Sequence, residues 1–310
     1  NDSFPVWYVQ DVEQVRTDVR VATLSYFQAG WYIGMMRQKA YNSDPLHLSL
    51  AHDKYIEGIR EQILIDNKVK KPVDLKEVVQ FAGLDDTKYM IDVSGKGDFM
   101  NYLPVSKFII EVDSAKVLSN GTVKEYYKSR LVSPMIWDYS KSYVLKDDLG
   151  IMDLLSTNKW ERPIYYSTTV PPGKYTGLEK YFIQEGLGYR IAPIKTDKPD
   201  QGEYGMIDPV VMYDNVMNKF KWGNAQEPSV YLDENNRRMF SNFRRIFGTL
   251  SKELLLRGDT LKAVEVAHRG LEIVPDKKMP NDFFTIGIAE TLIRAGKRAE
   301  GEKLINDVIT

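Results

Sequence analysis

The first apolar pattern of the chain is a set of valines that recurs every three residues from Val6 to Val15. This period predicts a helix over residues 5–15 with one apolar stripe. The side-chain oxygen of Asp2 or Ser3 can cap the first turn of this helix.

A β-branched run follows the first helix and predicts a strand over residues 19–24. A second helix is predicted over residues 31–40. Helix, strand and helix at this spacing are typical of a parallel α/β layer. A helix that precedes such a strand normally follows a strand of its own, so we expect a further strand upstream of Asn1.

The same periodicities and the turn residues predict the middle of the chain. Helices are predicted over residues 52–65, 74–83, 145–158 and 178–185, and strands over residues 90–93, 108–112, 163–168 and 189–194. The pair Asn120-Gly121 favours a two-residue hairpin turn. Residues 1–225 are therefore predicted to form an α/β domain whose partly parallel sheet is flanked by helices, with an inserted α+β segment around residues 85–140.

The tail from about residue 226 is predicted to be all-α. A glycine-centred turn at Gly258 recurs at Gly296, and each turn is followed by a small residue, Ala263 or Gly301, where two helices must approach closely. This repeat is typical of tetratricopeptide-like helical hairpins. We expect a pair of such hairpins over residues 226–310, packed on the α/β body.

Charge and composition exclude several classes of function. The chain has 310 residues, 42 Lys+Arg and 43 Asp+Glu, so it has no global basic field and we expect no nucleic-acid partner. It contains no cysteine, which excludes disulfides, zinc–thiolate sites and cysteine nucleophiles. No run approaches the ~20 apolar residues of a membrane span, and no signal peptide is visible, so the chain as given is expected to be soluble.

The sequence motifs do not support a metal-binding or a phosphate-binding site. His47, His52 and His268 do not have the spacing of zinc ligands, so we predict no metal and no cofactor. The loop at residues 95–98 has two glycines and a lysine but lacks the spacing of a phosphate-binding loop, which favours a surface turn.

Catalytic side chains are not identified by the sequence. The paired acids Asp85-Asp86 and Asp147-Asp148 lie beside helix starts or turns, where carboxylates serve as caps. A nucleophile elbow is absent from the sequence, which argues against a Ser–His–Asp hydrolase.

The densest basic cluster consists of two arginine pairs, Arg237-Arg238 and Arg244-Arg245. Pairs seven residues apart lie on one face of a helix. Such a face is either solvated or paired with acids of the α/β body. The functional alternative is contact with anionic lipid head groups or with a partner protein.

The opening of the chain combines an acid with aromatic residues. Asp2 precedes a helix at the predicted carboxyl edge of a parallel sheet, where α/β proteins place ligands. Aromatic residues cluster on the adjacent segments: Phe4, Trp7, Tyr8, Trp31 and Tyr32. The structural alternative is that Asp2 and Ser3 cap the helix while the aromatic residues form core.

Three blocks of the sequence resemble a family of bacterial multi-pass membrane proteins whose N-terminal membrane domain is similar to protein O-mannosyltransferases of the GT-C type. The blocks are Asn1-Asp2-Ser3-Phe4-Pro5-Val6-Trp7-Tyr8 with its continuation to Ile33, Trp160-Glu161-Arg162-Pro163-Ile164-Tyr165-Tyr166, and Glu185-Gly186-Leu187-Gly188-Tyr189-Arg190. In the first block Gln14 stands where the family usually has glycine.

The resemblance implies that this chain is the extracytoplasmic, periplasm-facing C-terminal region of a bacterial inner-membrane enzyme. The parent would transfer a sugar from a lipid-phosphate donor to Ser or Thr of a protein acceptor. The resemblance places the catalytic acid in the N-terminal membrane domain, which is also the expected partner. The residues that match the family block are expected to contact the acceptor or that domain: Asp2, Trp7, Tyr8, Asp18, Arg20, Trp31 and Tyr32.

Two other functions stay open at this point. The chain could be a protein-binding adaptor whose repeat groove holds a partner peptide, or an autonomous soluble α/β enzyme with its ligand near Asp2.

Overall fold

The computed structural model describes residues 3–196 and 204–309. These residues form a mixed α/β region followed by an all-helical region, which confirms the predicted fold class. They divide into two compact units, the first made of residues 3–164, 169–181 and 191–196, and the second of residues 165–168, 182–190 and 204–309. The predicted domain boundary at residue 225 stays a prediction.

The first unit contains two small mixed sheets. Their strands are β1 (Gln62–Ile65), β2 (Val73–Asp74), β3 (Met90–Asp92), β4 (Phe99–Leu103), β5 (Lys107–Ile110), β6 (Met135–Asp138) and β7 (Tyr143–Leu145). One sheet has the order β3-β4-β1-β7 and the other the order β2-β5-β6. The pairs β1–β4 and β2–β5 are parallel, whereas the other pairs are antiparallel. Phe108 and Trp137 pack edge to face in the core, with ring centroids 5.6 Å apart.

The helices of the first unit are α1 (Ser3–Asp11), α2 (Gly30–Met36), α3 (Leu75–Ala82), α4 (Ser114–Ser119) and α5 (Lys146–Asn158). Helix α3 begins where the sequence predicts, because the Asp74 carboxylate accepts hydrogen bonds from the amides of Lys76 and Glu77. Helix α5 also confirms its prediction. It buries charged residues along its length, and these are described below.

Three local predictions in this unit are wrong. Residues 19–24 form no strand, because Val21 and Thr23 bond to the Tyr32 hydroxyl and not to a strand. Within residues 52–65 the chain makes a short 3-10 turn and then β1, whose ladder partners come from distant segments. Asn120-Gly121 ends α4 and does not form a hairpin, with Gly121 in the left-handed conformation (φ 73°) that follows many helices.

The second unit contains a third mixed sheet with the order β11-β9-β10-β8. Its strands are β8 (Tyr165–Ser167), β9 (Phe182–Gln184), β10 (Gly188–Ile191) and β11 (Met206–Ile207). The helix predicted over residues 178–185 is wrong, since β9 occupies its second half and pairs in parallel with β11. Successive side chains of β9 are all buried, a pattern that does not separate a buried strand from a buried helix in the sequence.

The tail from residue 234 onward is helical, as predicted, and among the described residues of this unit two further helical segments precede it. The unit contains α6 (Pro209–Tyr213), a π-helical segment at Asp214–Lys219, α7 (Glu234–Leu256), α8 (Thr260–Ile273), α9 (Thr285–Arg294) and α10 (Arg298–Ile309). The predicted glycine turns are present, with φ of 84° at Gly258 and 85° at Gly296. A Cβ at Gly301 would lie 2.6 Å from the Ala289 carbonyl oxygen, which confirms the predicted close helix approach. The helices pack as hairpins, while their packing on the α/β body and their tetratricopeptide-like character stay predictions.

Candidate functional site

Helix α1 and the segment after it expose apolar side chains to solvent. The valines of the predicted apolar stripe, from Val6 to Val15, are exposed to solvent, and the helix ends at Asp11. We call this surface the N-terminal apolar surface; it consists of Phe4, Val6, Tyr8, Val9, Val12, Val15, Val19, Trp31 and Met35. Tyr8 is 57% exposed and Trp31 is 61% exposed. Exposed apolar patches of this extent mark contact sites for proteins or membranes.

The buried residue of α1 is polar. Gln10 donates hydrogen bonds to the carbonyl oxygens of Arg16 and Val19, both at 2.9 Å, and so fixes the turn after the helix. Gln14 lies in the left-handed region with φ 54°, a conformation that glycine adopts without strain. Its side chain donates to the Asp11 carbonyl oxygen. The left-handed backbone at this position explains why the family usually has glycine there, and Gln14 keeps the same turn.

Aromatic rings connect α1 to α2. Ring centroids lie 5.5 Å apart for Phe4 and Trp7, 6.1 Å for Trp7 and Tyr26, and 6.2 Å for Tyr26 and Trp31. The structure therefore brings the predicted residues Trp7 and Trp31 together through Tyr26, which the sequence analysis missed. The aromatic pair at residues 26–27, so close to Trp31 in the sequence, is the signal that could have identified it.

Two predicted site residues hold this region in place, the half-buried Arg20 and the buried Tyr32. The Arg20 guanidinium donates to the carbonyl oxygens of Met35 and Gln38, at 2.9 and 2.6 Å, and so caps the end of α2. Burial lowers the pKa of Arg20. The buried Tyr32 hydroxyl accepts a 2.8 Å hydrogen bond from the Thr23 amide. Both residues position the N-terminal apolar surface.

The remaining predicted residues of the opening block differ in their surroundings. Asp18 forms two 2.9 Å hydrogen bonds with Arg16 at an exposed position, and this pairing lowers the pKa of Asp18. The Tyr8 hydroxyl donates to Glu13 at 3.3 Å. Asp2 lies outside the described residues. The binding roles of these residues stay predictions.

The structure separates the four arginines of the predicted basic face. Arg237 and Arg238 are exposed, and Arg245 is half-buried. Arg244 is 0% exposed and donates to the carbonyl oxygens of Val274, Met279 and Pro280. Arg244 therefore lies outside the exposed face, because the loop between α8 and α9 covers it.

The loop at residues 95–98 is a surface turn, as predicted, between β3 and β4. The Asp92 carboxylate accepts hydrogen bonds from the amides of Gly95 and Gly97, both at 2.9 Å, and from that of Asp98 at 3.1 Å. These bonds, that of Gly97 first, hold the pKa of Asp92 below its usual range. The amides that a phosphate would need already bind a carboxylate of the same chain.

The paired acids have structural partners. Asp147 and Asp148 lie in the first turn of α5, both buried, and pair with Lys174 and Lys141 respectively. Asp86 caps a 3-10 turn through the Lys88 amide. Among the described residues, no group of histidine and acidic side chains could hold a metal ion.

Helix α5 contains a buried acid that the sequence analysis missed. Asp153 accepts hydrogen bonds from the amides of Ser49 and Leu50 and from the hydroxyls of Ser49 and Tyr55, at 2.6 to 3.0 Å. Burial, together with the Asp153 carboxylate, raises the pKa of Tyr55. An acid flanked by apolar residues in a helix is the sequence signal for such a buried and paired charge.

The second family block forms an irregular turn after α5. Lys159 and Trp160 both have left-handed backbones, with φ of 45° and 59°. The Trp160 indole N–H donates to the Glu111 carbonyl oxygen at 3.1 Å. The Asn158 side-chain amide donates to the Arg162 carbonyl oxygen and accepts from the Arg162 backbone N–H. The turn borders a cavity of about 20 Å³, room for a single water molecule.

The third family block contains a buried ion pair. The Glu185 carboxylate accepts hydrogen bonds from the Arg190 guanidinium at 2.8 Å and from the Tyr165 hydroxyl at 2.7 Å. Glu185 and Arg190 are both buried and pair with each other within the fold. The arrangement explains why the block combines an acid, a glycine turn and an arginine, and it provides no reactive group.

Within residues 3–196 and 204–309, none of the helices combines the length and the apolar character needed to cross a membrane. No curated protein and no solved structure is significantly similar to the chain. The sequence profile of TMEM260-associated domain 2 matches residues 1–211, which include all three family blocks and the N-terminal apolar surface. The chain therefore belongs to the TMEM260-associated domain 2 family.

Proposed function

We propose that this chain is a non-catalytic, extracytoplasmic domain of a membrane-bound, glycosyltransferase-like protein of the protein O-mannosylation type. It faces the periplasm at a bacterial inner membrane and docks on the membrane domain of its own parent. Membership of the TMEM260-associated domain 2 family supports the link to a membrane protein. The resemblance of the three sequence blocks supports the glycosyltransferase-like parent.

The observation that carries the proposal is the N-terminal apolar surface. Water contact with this many apolar side chains costs free energy, at roughly 25 cal/mol per Å² of apolar area that a partner could cover. The surface lies in the block that resembles the family most specifically. The docked partner is therefore a protein surface of matching apolar character, which is what the membrane domain supplies.

The predicted site residues divide into two roles in this proposal. Trp7, Tyr8 and Trp31 contact the membrane domain or a protein acceptor held next to it. Arg20 and Tyr32 position them: Arg20 donates to the backbone at the end of α2, and the Tyr32 hydroxyl, on α2, accepts from the Thr23 amide. The sugar donor, a lipid phosphate, binds to the parent and not to this chain, which needs no cofactor of its own.

The experiment is a test in the full-length parent. Tyr8→Ser with Trp31→Ser removes two exposed aromatic residues, and Tyr231→Ser, at an 81% exposed tyrosine of the second unit, is the matched control. We expect the double variant to express normally and to lose glycosylation of a surface protein, while the control retains it.

Two other experimental outcomes would favour the alternative functions. Unchanged glycosylation with loss of a co-purifying partner would favour the adaptor. Turnover by the isolated chain would favour an autonomous enzyme.

A further inference from the structure

Helices α7 and α9 run parallel to each other in close contact. Ser241 lies 3.2 Å from Asp282, just before α9, and the Ser251 hydroxyl lies 3.1 Å from that of Thr291. Between them, a Cβ at Gly248 would lie 3.5 Å from the Gly287 Cα. Residue numbers rise together along both helices, so the two helices are parallel.

A row of polar residues on α7 lies one residue after this packing line. We call it the basic stripe; it consists of Arg238, Asn242, Arg245, Thr249 and Lys252. Spacings of four and three residues keep the row on one face of a helix. One residue corresponds to a rotation of about 100°, so the stripe lies beside the packing line and not within it.

The matching residues of α9 lie one residue before the packing line. They are Ile286 and Glu290, continued by Arg294 and, just before the helix, by Phe283. In two parallel helices, the residue that follows the contact line on one helix and the residue that precedes it on the other are rotated by about 100° in opposite senses. Both residues therefore lie on the same side of the helix pair. The basic stripe and this α9 face therefore form the two walls of one groove.

The opposite side of α7 is occupied. A Cβ at Gly270 of α8 would lie 2.7 Å from the Phe247 side chain, so α8 packs there. The groove side remains accessible. Phe283 is 76% exposed, and Arg245 and Thr249 are half-buried, as residues on the wall of a groove are.

The groove concentrates positive charge in a chain whose net charge is −1. Two carboxylates on these helices each face an arginine of the same helix, Glu234 at 3.9 Å from Arg238 and Glu290 at 2.6 Å from Arg294. Arg245, at the centre, makes no hydrogen bond or ion pair with any residue that the structure describes. Its guanidinium is therefore available to an anionic ligand.

We propose that this groove binds an extended, acidic protein segment, with carboxylates on Arg245 and Arg238 and an apolar side chain on Phe283. The stripe from Arg238 to Lys252 spans about 21 Å along the helix, which is the length of about six residues of extended chain. A flat lipid surface reaches exposed arginines but not a recessed one. The central position of Arg245 therefore favours a peptide.

The test measures peptide binding by the full 310-residue chain. The probe is a fluorescein-labelled peptide of about eight residues in which glutamate alternates with leucine, and its twin has lysine in place of glutamate. We expect fluorescence anisotropy to show binding of the acidic peptide and not of the basic twin. Because carboxylates bind arginine, Arg245→Glu should weaken this binding by at least about tenfold.

Two further variants make the result specific. Arg245→Gln removes the charge with little change of shape and should weaken binding by about threefold. Arg269→Glu reverses a charge on α8, outside the groove, and should leave binding unchanged; circular dichroism confirms that each variant is folded.

Three results would overturn the proposal. The first is equal binding of the two peptides, and the second is unchanged affinity in both Arg245 variants. The third is co-sedimentation with phosphatidylglycerol vesicles that depends on Arg245 while the acidic peptide does not bind, which would assign the groove to a lipid surface. Because these measurements use no glycosylation readout, their failure is distinct from failure of the proposed function.

Discussion

Helices α1 and α5 lie in the same compact unit but differ in which side chains they bury. Helix α1 buries Gln10 and leaves Phe4, Tyr8 and its valines exposed to water. Helix α5 buries Lys146, Asp147, Asp148 and Asp153.

The difference lies in where each side chain finds its partner. Every buried charged residue of α5 has a hydrogen-bond or ion-pair partner within the unit. Lys146, for example, donates to Glu61 at 2.5 Å and to the Ile56 carbonyl oxygen at 2.9 Å. The apolar residues of α1 have no such cover. The buried charges therefore belong to the fold, whereas the exposed apolar residues are the ones that we propose contact a partner. Four changes test this contrast.

The largest effect is expected at Asp153. Asp153→Asn replaces an acceptor of four hydrogen bonds by an amide whose N–H₂ group faces donors. We expect a loss of about 3 kcal/mol in the free energy of unfolding, because hydrogen bonds to a buried charge are strong and the donors keep no other partner. Urea denaturation measures the loss. Asp44→Asn, the same change at an exposed carboxylate, is the control, and an equal effect at both positions would contradict the buried-charge argument.

The second effect is a pH dependence. Burial first, and the neighbouring carboxylates Asp153 and Asp148, raise the pKa of Tyr55 and Tyr139. The unfolded chain releases these phenol protons near pH 10, earlier than the folded chain does, so stability is full below pH 10 and falls as the pH rises.

Each tyrosine adds a slope of up to about 1.4 kcal/mol per pH unit. We expect Tyr55→Phe to make the fall between about pH 9 and pH 11 shallower in urea denaturation. Tyr231→Phe, at an exposed position, should leave the fall unchanged. A fall that is the same in Tyr55→Phe would show that the phenol does not titrate differently on unfolding.

The third effect tests the buried amide of α1. Gln10→Leu makes the helix more apolar but removes the donors to the Arg16 and Val19 carbonyl oxygens. We expect a loss of about 1 kcal/mol, as for a lost buried hydrogen bond. Gln38→Leu is the exposed control. Stabilisation by Gln10→Leu would mean that α1 is an ordinary amphipathic helix.

The smallest effect is expected on the N-terminal apolar surface itself. Tyr8→Ser with Val12→Ser should change the free energy of unfolding by less than about 0.5 kcal/mol, since neither side chain is buried. Val79→Ser in α3, at a fully buried valine, should cost about 3 kcal/mol. A double-variant loss as large as that of Val79→Ser would place the surface in the core and remove the main support for docking.

Local signals made part of the fold predictable. Helices α3 and α5 and the helical tail follow from caps, glycine turns and periodicity, which act within a few residues. Strand β1 does not, because its ladder partners Tyr102 and Val144 lie far away in the sequence.

The candidate site shows the same limit. The sequence predicts that Trp7 and Trp31 lie together, since both belong to one block. It does not reveal that α1 is turned outward, because a period of three residues gives a stripe and not the direction it faces. Nor does it reveal that Arg244 is buried, since the covering loop comes thirty residues later.

Arg244 also has a consequence for motion. Connections between helices normally open at a small free-energy cost, well below that of global unfolding. The buried Arg244 guanidinium on α7 donates hydrogen bonds to three carbonyl oxygens of the connection between α8 and α9. If this connection moved away from α7, the guanidinium would lose all three hydrogen bonds. The connection and the middle of α7 therefore open as one cooperative unit. The end of the proposed groove next to Phe283 is therefore expected to keep its shape when a ligand binds.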